Sequence, residues 1–230
     1  MRFSALLPRE HLDDTSKDVV RGGMAVVATM VALVLGLLIA GAKSYFDVQS
    51  NEITQLAADV VLLDRAFAHF GPDAAPLRAM LKGDVVHIAD VMWSPSGSNE
   101  PPREVQARSA EPLFDATEKL AAKTDEQRTI KAQVLSLMVE LGRLRWLMYA
   151  QRQSRLPAAL LVALIVWLTL VSLSSGLFAR TNPTVVGAYF ASALSVASAV
   201  WLILEMYSPY TGFIRVSDAA VRAALAQLGS

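Results

Sequence analysis

The sequence predicts an all-α membrane protein with three transmembrane helices and a helical-bundle domain inserted between the first and second. Three observations carry that reading. Three long stretches hold no charged residue. Only 18% of the 230 residues are charged while 53% are hydrophobic, against about 25% charged in an ordinary soluble domain. Between the first two stretches the apolar residues recur at helical spacing, with no run of strand-like alternation.

The first stretch, within residues 24–43, runs uncharged from Met24 to Ala42. About 20 residues at 1.5 Å each cross a hydrocarbon core about 30 Å thick. The second covers Pro157 to Ala179, opening on a proline where a helix tolerates one best. The third runs from Val185 to Leu204, and its helix is expected to reach residue 206. Arg180-Thr181-Asn182-Pro183-Thr184 joins the last two, a connection short enough to make residues 157–206 a membrane hairpin. Ahead of the first span, residues 1–23 form a polar segment containing Pro8, Asp13, Asp14 and Asp18, without the layout of a cleavable signal peptide. Small residues repeat at helical spacing along two spans: Ala25, Thr29, Ala32, Gly36 and Ala40 in the first, Ala188, Ser192, Ser195 and Ala199 in the third. Such a face lets backbones approach closely in lipid. Two readings stand for it, packing within the chain, or packing between protomers around a narrow pore. Thr29, Ala32, Gly36 and Ala40 are the candidate pore or packing residues.

Residues 44–156 are numerous enough for a core of their own. Phe46, Ile53, Leu56, Val60, Leu63, Phe67 and Phe70 step by sevens, threes and fours, a heptad seam that Gly71-Pro72 ends with a left-handed glycine cap. Leu77, Leu81, Val85, Ile88 and Met92 mark a second amphipathic helix that closes near Trp93. Ser94 to Arg103, with three prolines, reads as a loop. A weaker helix is expected over Glu104 to Lys123. Thr124 with Gln127 then makes a capping box for a helix whose seam is Ile130, Val134, Leu137, Leu141, Leu144 and Met148. The seam at Ile53, Leu56, Val60, Leu63, Phe67 and Phe70 serves either the domain's own core or an oligomer interface. Residues 207–230 form a tail expected to contain a short amphipathic helix.

Few groups suggest chemistry. Cysteine is absent, which excludes disulfides and thiolate ligands. His11, His69 and His87 have no partners at metal-site spacing beyond His87 three before Asp90, and read as solvated. No nucleophile elbow or phosphate-binding glycine loop occurs. No cofactor and no enzymatic activity are therefore expected. A net charge of zero gives no electrostatic case for nucleic-acid binding. Asp64-Arg65 suggests a local or interhelical ion pair. Glu205 closes the third apolar run beside Trp201, Tyr207 and Tyr210, the aromatics of an interfacial belt. A carboxylate there either reaches headgroup level or marks a functional pathway.

Several stretches resemble the bestrophin-like family of uncharacterised, mostly bacterial membrane proteins. They are LPREHLDDTSKDVVR, ALVLGLLIAGAKSYFDVQ, LAADVVLLDRAFAHFGPDAAPLRAML, LGRLRWLMYAQ, and nearly all of the chain from Trp167 to Leu228. The segment from about Asp84 to Lys131 is outside the resemblance. Members of that family usually carry a further apolar helix just before the LP-x-x-HL segment, a span not present in this sequence. The resemblance implies a homo-oligomeric, channel-type protein, since bestrophins form pentamers with an anion pore. It also implies a multi-pass protein of the bacterial inner membrane, with inorganic anions or other ions as ligands. Charge near the spans is divided: Arg9, Lys17 and Arg21 precede the first while Lys43 follows, and Arg143, Arg145, Arg152 and Arg155 precede the second while Arg180 follows. Bestrophins keep the corresponding inserted region in the cytosol, so residues 44–156 and the tail from Ser208 are expected there. The competing function is a non-conducting, membrane-anchored interaction or sensor module.

Overall fold

A computed structural model of the chain describes residues 14–93, 111–152, 158–178, 182–210 and 212–229. Their regular structure is entirely helical, with no strand among the described residues. Helix α1 runs unbroken from Asp14 to Phe70, starting ten residues ahead of the apolar run. A 3-10 turn at Pro72–Ala74 leads into α2 (Ala75–Met92). The remaining helices are α3 (Glu111–Lys119), α4 (Asp125–Arg152), α5 (Ala158–Phe178), α6 (Pro183–Met206) and α7 (Ala219–Gln227). Three of these, α1, α5 and α6, are long and apolar enough to cross a membrane. The loop expected at Ser94–Arg103, and the beginning of the helix expected over 104–123, lie outside the described residues.

Helix ends follow from local chemistry. Gly71 stops α1 with φ 113° and ψ −172°, a region essentially reserved for glycine but different from the left-handed cap the sequence suggests. The exposed end of α1 is then closed from elsewhere: Gln127 Nε2 donates to the Phe70 carbonyl at 3.0 Å. The cap of α4 also differs in detail. Thr124 Oγ1 accepts from Gln127 N at 3.1 Å, as expected, but Gln127 Oε1 accepts from Lys123 N at 2.8 Å, one residue ahead of the cap. Lys131 Nζ donates to the carbonyls of Glu118 and Leu120 and so closes α3. Helix α6 begins two residues before the expected 185, because Asn182 Oδ1 caps Val185 N at 2.8 Å and Pro183 takes the first helical position.

Packing divides the chain into two units. One comprises Met1–Ser44 with Arg155–Tyr207, the other Tyr45–Ser154 with Ser208–Ser230. The first unit holds the apolar parts of α1, α5 and α6 around a thin core of Val31, Leu38, Ala42, Leu164 and Ile203. Its other described apolar side chains are exposed or only partly covered in the isolated chain, with between 6% and 11% of each apolar window buried. Helices of that composition must meet lipid or another chain.

The second unit has a deep core. Every residue of the first heptad seam from Ile53 to Phe70 is inside it, with Leu77, Leu81 and Val85 of α2, Leu113 of α3, and Val134, Met138 and Met148 of α4. Val216, Val221, Ala224 and Leu228 of the C-terminal segment complete it. That segment is held by polar contacts as well. Trp93 Nε1 donates to the Val216 carbonyl at 3.0 Å, its ring meets Tyr210 edge-on at 6.1 Å, and Lys82 Nζ donates to the Leu228 carbonyl at 3.1 Å.

Candidate functional site

In the membrane unit the two sides of α1 do different things. Val31, Leu38 and Ala42 are buried against α5 and α6, with Val27, Val34, Leu35 and Ile39 partly covered. Thr29, Ala32, Gly36 and Ala40 are all exposed. Among the described residues, the chain leaves these four positions of α1 largely uncovered. A side chain added at Gly36 would meet nothing within 4 Å. The face is nearly featureless chemically, because Thr29 Oγ1 donates back to the Ala25 carbonyl at 2.9 Å. The matching face of α6 behaves alike: Ala188, Ser192 and Ser195 are exposed, Ala199 half-buried, and the hydroxyls of Ser192 and Ser195 return to helix carbonyls at 2.9 Å. Hydroxyls satisfied this way can sit in an apolar medium at little cost. Glu205 lies in the last turn of α6, half-buried, two residues beyond the fully buried Ile203.

In the helical unit the six candidate seam residues are between 0% and 8% exposed: Ile53, Leu56, Val60, Leu63, Phe67 and Phe70. Within this chain they are covered by the helical unit's own core, with side chains of α2, α3, α4 and the C-terminal segment. Asp64 pairs across helices as anticipated, but with Arg78 of α2 instead of its neighbour Arg65. The guanidinium grips the carboxylate with two hydrogen bonds, at 2.8 and 2.7 Å, and the carboxylate is 2% exposed. The pairing holds the Arg78 guanidinium above its usual range.

Two further features were not legible in the sequence. One is a polar network buried in the helical unit. Gln49, fully buried, donates to Glu52 at 3.2 Å and to Gln151 Oε1 at 3.1 Å; Gln151 Nε2 donates to the other Glu52 oxygen at 2.8 Å; Tyr210 Oη donates to Gln49 Oε1 at 2.8 Å. The members stand 102 and 161 residues apart along the chain, so no local pattern announces them. The network ties α1, α4 and the C-terminal segment together with every group satisfied.

The other is an apolar cavity of about 80 Å³, walled by Leu56, Leu63, Val85, Met92, Met138 and Val221 among others, with Asp84 and Arg145 its charged members. Burial pushes the Asp84 carboxyl above its ordinary value, against the opposing pull of Arg145 and His87. Burial also lowers the Arg145 guanidinium, against the pull of Asp84. Asp84 and Arg145 thus support each other at the edge of an otherwise apolar chamber. His69 and His87 are exposed, and His11 lies outside the described residues. No His, Asp and Glu side chains converge as a metal-holding group among the described residues.

No curated protein matches the chain, and neither does a solved structure. A family match does exist, and it extends from residue 2 to residue 221, running through the stretch between Asp84 and Lys131 that the motif resemblance left out. With three apolar helices of spanning length and nearly the whole sequence matched, the chain belongs to the family described as the Bestrophin-like domain.

Proposed function

We propose that the protein is an oligomeric channel or transport-related membrane protein, in which several copies of α1 surround an axis and inorganic anions or other ions are the cargo. The observation that supports this most is the outward-facing surface of Thr29, Ala32, Gly36 and Ala40, which the chain leaves uncovered while it packs the opposite side of the same helix. Small residues on an uncovered face of a span allow close approach of a second backbone, and Bestrophin-like membership agrees with a channel-type assembly. In this reading the helical unit is a bundle inserted between the first two spans, the chemistry is non-enzymatic, and the protein resides in a bacterial inner membrane. The test is ion flux from liposomes containing the purified chain. Gly36→Leu fills open space and removes a helix glycine, so the fold should survive while flux or assembly falls at least tenfold. Equal flux from wild-type and empty liposomes, across several ions, would sink the proposal.

A second reading is favoured by the cavity beside Asp84 and Arg145 and by the self-contained core around it. A non-conducting anchored module would use that unit to bind a partner or sense the envelope. Silent liposomes together with a monomeric particle in mild detergent would select this alternative.

A further inference from the structure

A crevice of about 380 Å³ opens in the membrane unit between α1 and α5. It is lined by Arg21, Met24, Ala25, Ala28, Val171, Ser174 and Ser175. Its position along the two helices matters. Arg21 stands three residues before the uncharged run that begins at Met24, while Ser174 and Ser175 stand near the end of α5 at Phe178. The polar members therefore collect where both apolar runs end, and Ala25, Ala28 and Val171 lead inward along them. Helices of spanning length place such a boundary at the depth of the lipid headgroups.

The donors suit an oxyanion of phosphate geometry. A guanidinium presents a planar fork of N–H groups and stays charged. The two serine hydroxyls are uncommitted: Thr29, Thr169, Ser192 and Ser195 return theirs to helix carbonyls, whereas Ser174 and Ser175 make no hydrogen bond among the described residues. The nearby carboxylate of Asp18 sits 3.6 Å from Arg21, but both side chains are mostly exposed, at 76% and 65%. An exposed pair of that length contributes little, so the guanidinium gives it up at small cost. The small side chains of Ala25 and Ala28 leave room beneath the donors for hydrocarbon.

From this geometry we infer a binding site for an anionic phospholipid, with the phosphate held by Arg21, Ser174 and Ser175 and an acyl chain lying on Met24, Ala25, Ala28 and Val171. The chemistry recognised is a phosphate oxyanion, and the apolar floor selects a lipid over the free ion.

The test uses the full-length protein in neutral detergent, titrated with phosphatidylglycerol or phosphatidylcholine and read by native mass spectrometry. The wild type should retain phosphatidylglycerol about fivefold or more over phosphatidylcholine, the preference one near-surface cation supplies. Arg21→Gln should abolish that preference, and Ser174→Ala with Ser175→Ala should weaken it a few fold. Lys43→Gln, at the other end of the same apolar run, should leave it unchanged. A preference surviving Arg21→Gln, or lost equally in Lys43→Gln, overturns the site in favour of diffuse attraction to charge. Inorganic phosphate at millimolar concentration should fail to displace the lipid. Displacement would overturn the lipid assignment and make the free anion the ligand.

Discussion

Truncating Leu63 decides whether the seam of α1 is a core or an interface. Leu63 is 1% exposed and touches the cavity beside Asp84 and Arg145. Moving its side chain out of water is worth about 2 kcal/mol, and every 40 Å³ of new void that neighbours fail to fill adds about 1 kcal/mol. The void would join an existing chamber of about 80 Å³, which favours incomplete refilling. Leu63→Ala should therefore cost about 3 kcal/mol, a fall of about 10 °C in the melting of the helical unit. Leu63→Asp should abolish the unit's packing, since an unpaired carboxylate cannot be sustained there. Trp93 is the reporter, because it meets Tyr210 and hydrogen-bonds Val216 inside this unit. Its fluorescence is followed in a chain whose Trp146, Trp167 and Trp201 are phenylalanine. Particle mass is measured in the same detergent. If Leu63→Asp melts like the wild type while an oligomer becomes monomers, the seam lies between copies and the reasoning fails.

Two other perturbations test the ionic contacts of the same unit. Arg78→Met strands the Asp64 carboxylate, 2% exposed, and should cost about 3 kcal/mol in denaturant unfolding; the double variant with Asp64→Asn should recover much of that loss, and an unchanged midpoint in the single variant would show the pair to be idle. Asp84 supplies a pH signature. Its carboxyl is raised by burial above an ordinary 3.8, so the protonated form is favoured by folding, and the resulting stability is fully present below that pH and lost as pH rises through the raised value. The wild type should lose stability relative to Asp84→Asn over this rise; parallel melting profiles, or a relative gain, would contradict the assignment.

Much of the fold was legible because its signals are local. A run without charge, a seven-residue repeat, or an Asn-Pro pair ahead of apolar residues each acts within a few turns of helix, and α1, α2 and α6 follow. What escaped depends on contacts across the chain. Gln49 looks like any polar residue on a helix until Gln151 and Tyr210 arrive beside it. Arg78 could not be matched to Asp64 from spacing, since the turn at Gly71 sets where α2 returns. The candidate membrane surface was legible as a pattern of small residues, but the pattern is compatible with either packing partner. Only the placement of Val31, Leu38 and Ala42 against α5 and α6 shows which side of α1 the chain itself occupies.

The same packing constrains topology where charge does not. Val216, Val221, Ala224 and Leu228 share one core with residues of α1, α2, α3 and α4. Residues that bury one another lie on one side of a membrane, so the segment after α6 and the segment between α1 and α5 are on the same side. An even number of crossings must separate them. Helices α5 and α6, both long and apolar enough to cross, would provide two, and their connection would then be on the other side. Charge counts of three against one and four against one disagree about which side is cytoplasmic, whereas the parity follows from the core alone. The chain contains no cysteine, so single cysteines report location without further engineering. Cysteines at Ser96 and at the exposed Ala226 should be shielded in intact cells from a reagent that cannot cross the inner membrane, and one at the exposed Thr184 should be labelled. Opposite labelling of all three would reverse the proposed orientation and leave the parity standing. Different labelling of Ser96→Cys and Ala226→Cys would break the parity itself, and with it the reading of α5 and α6 as a pair of spans.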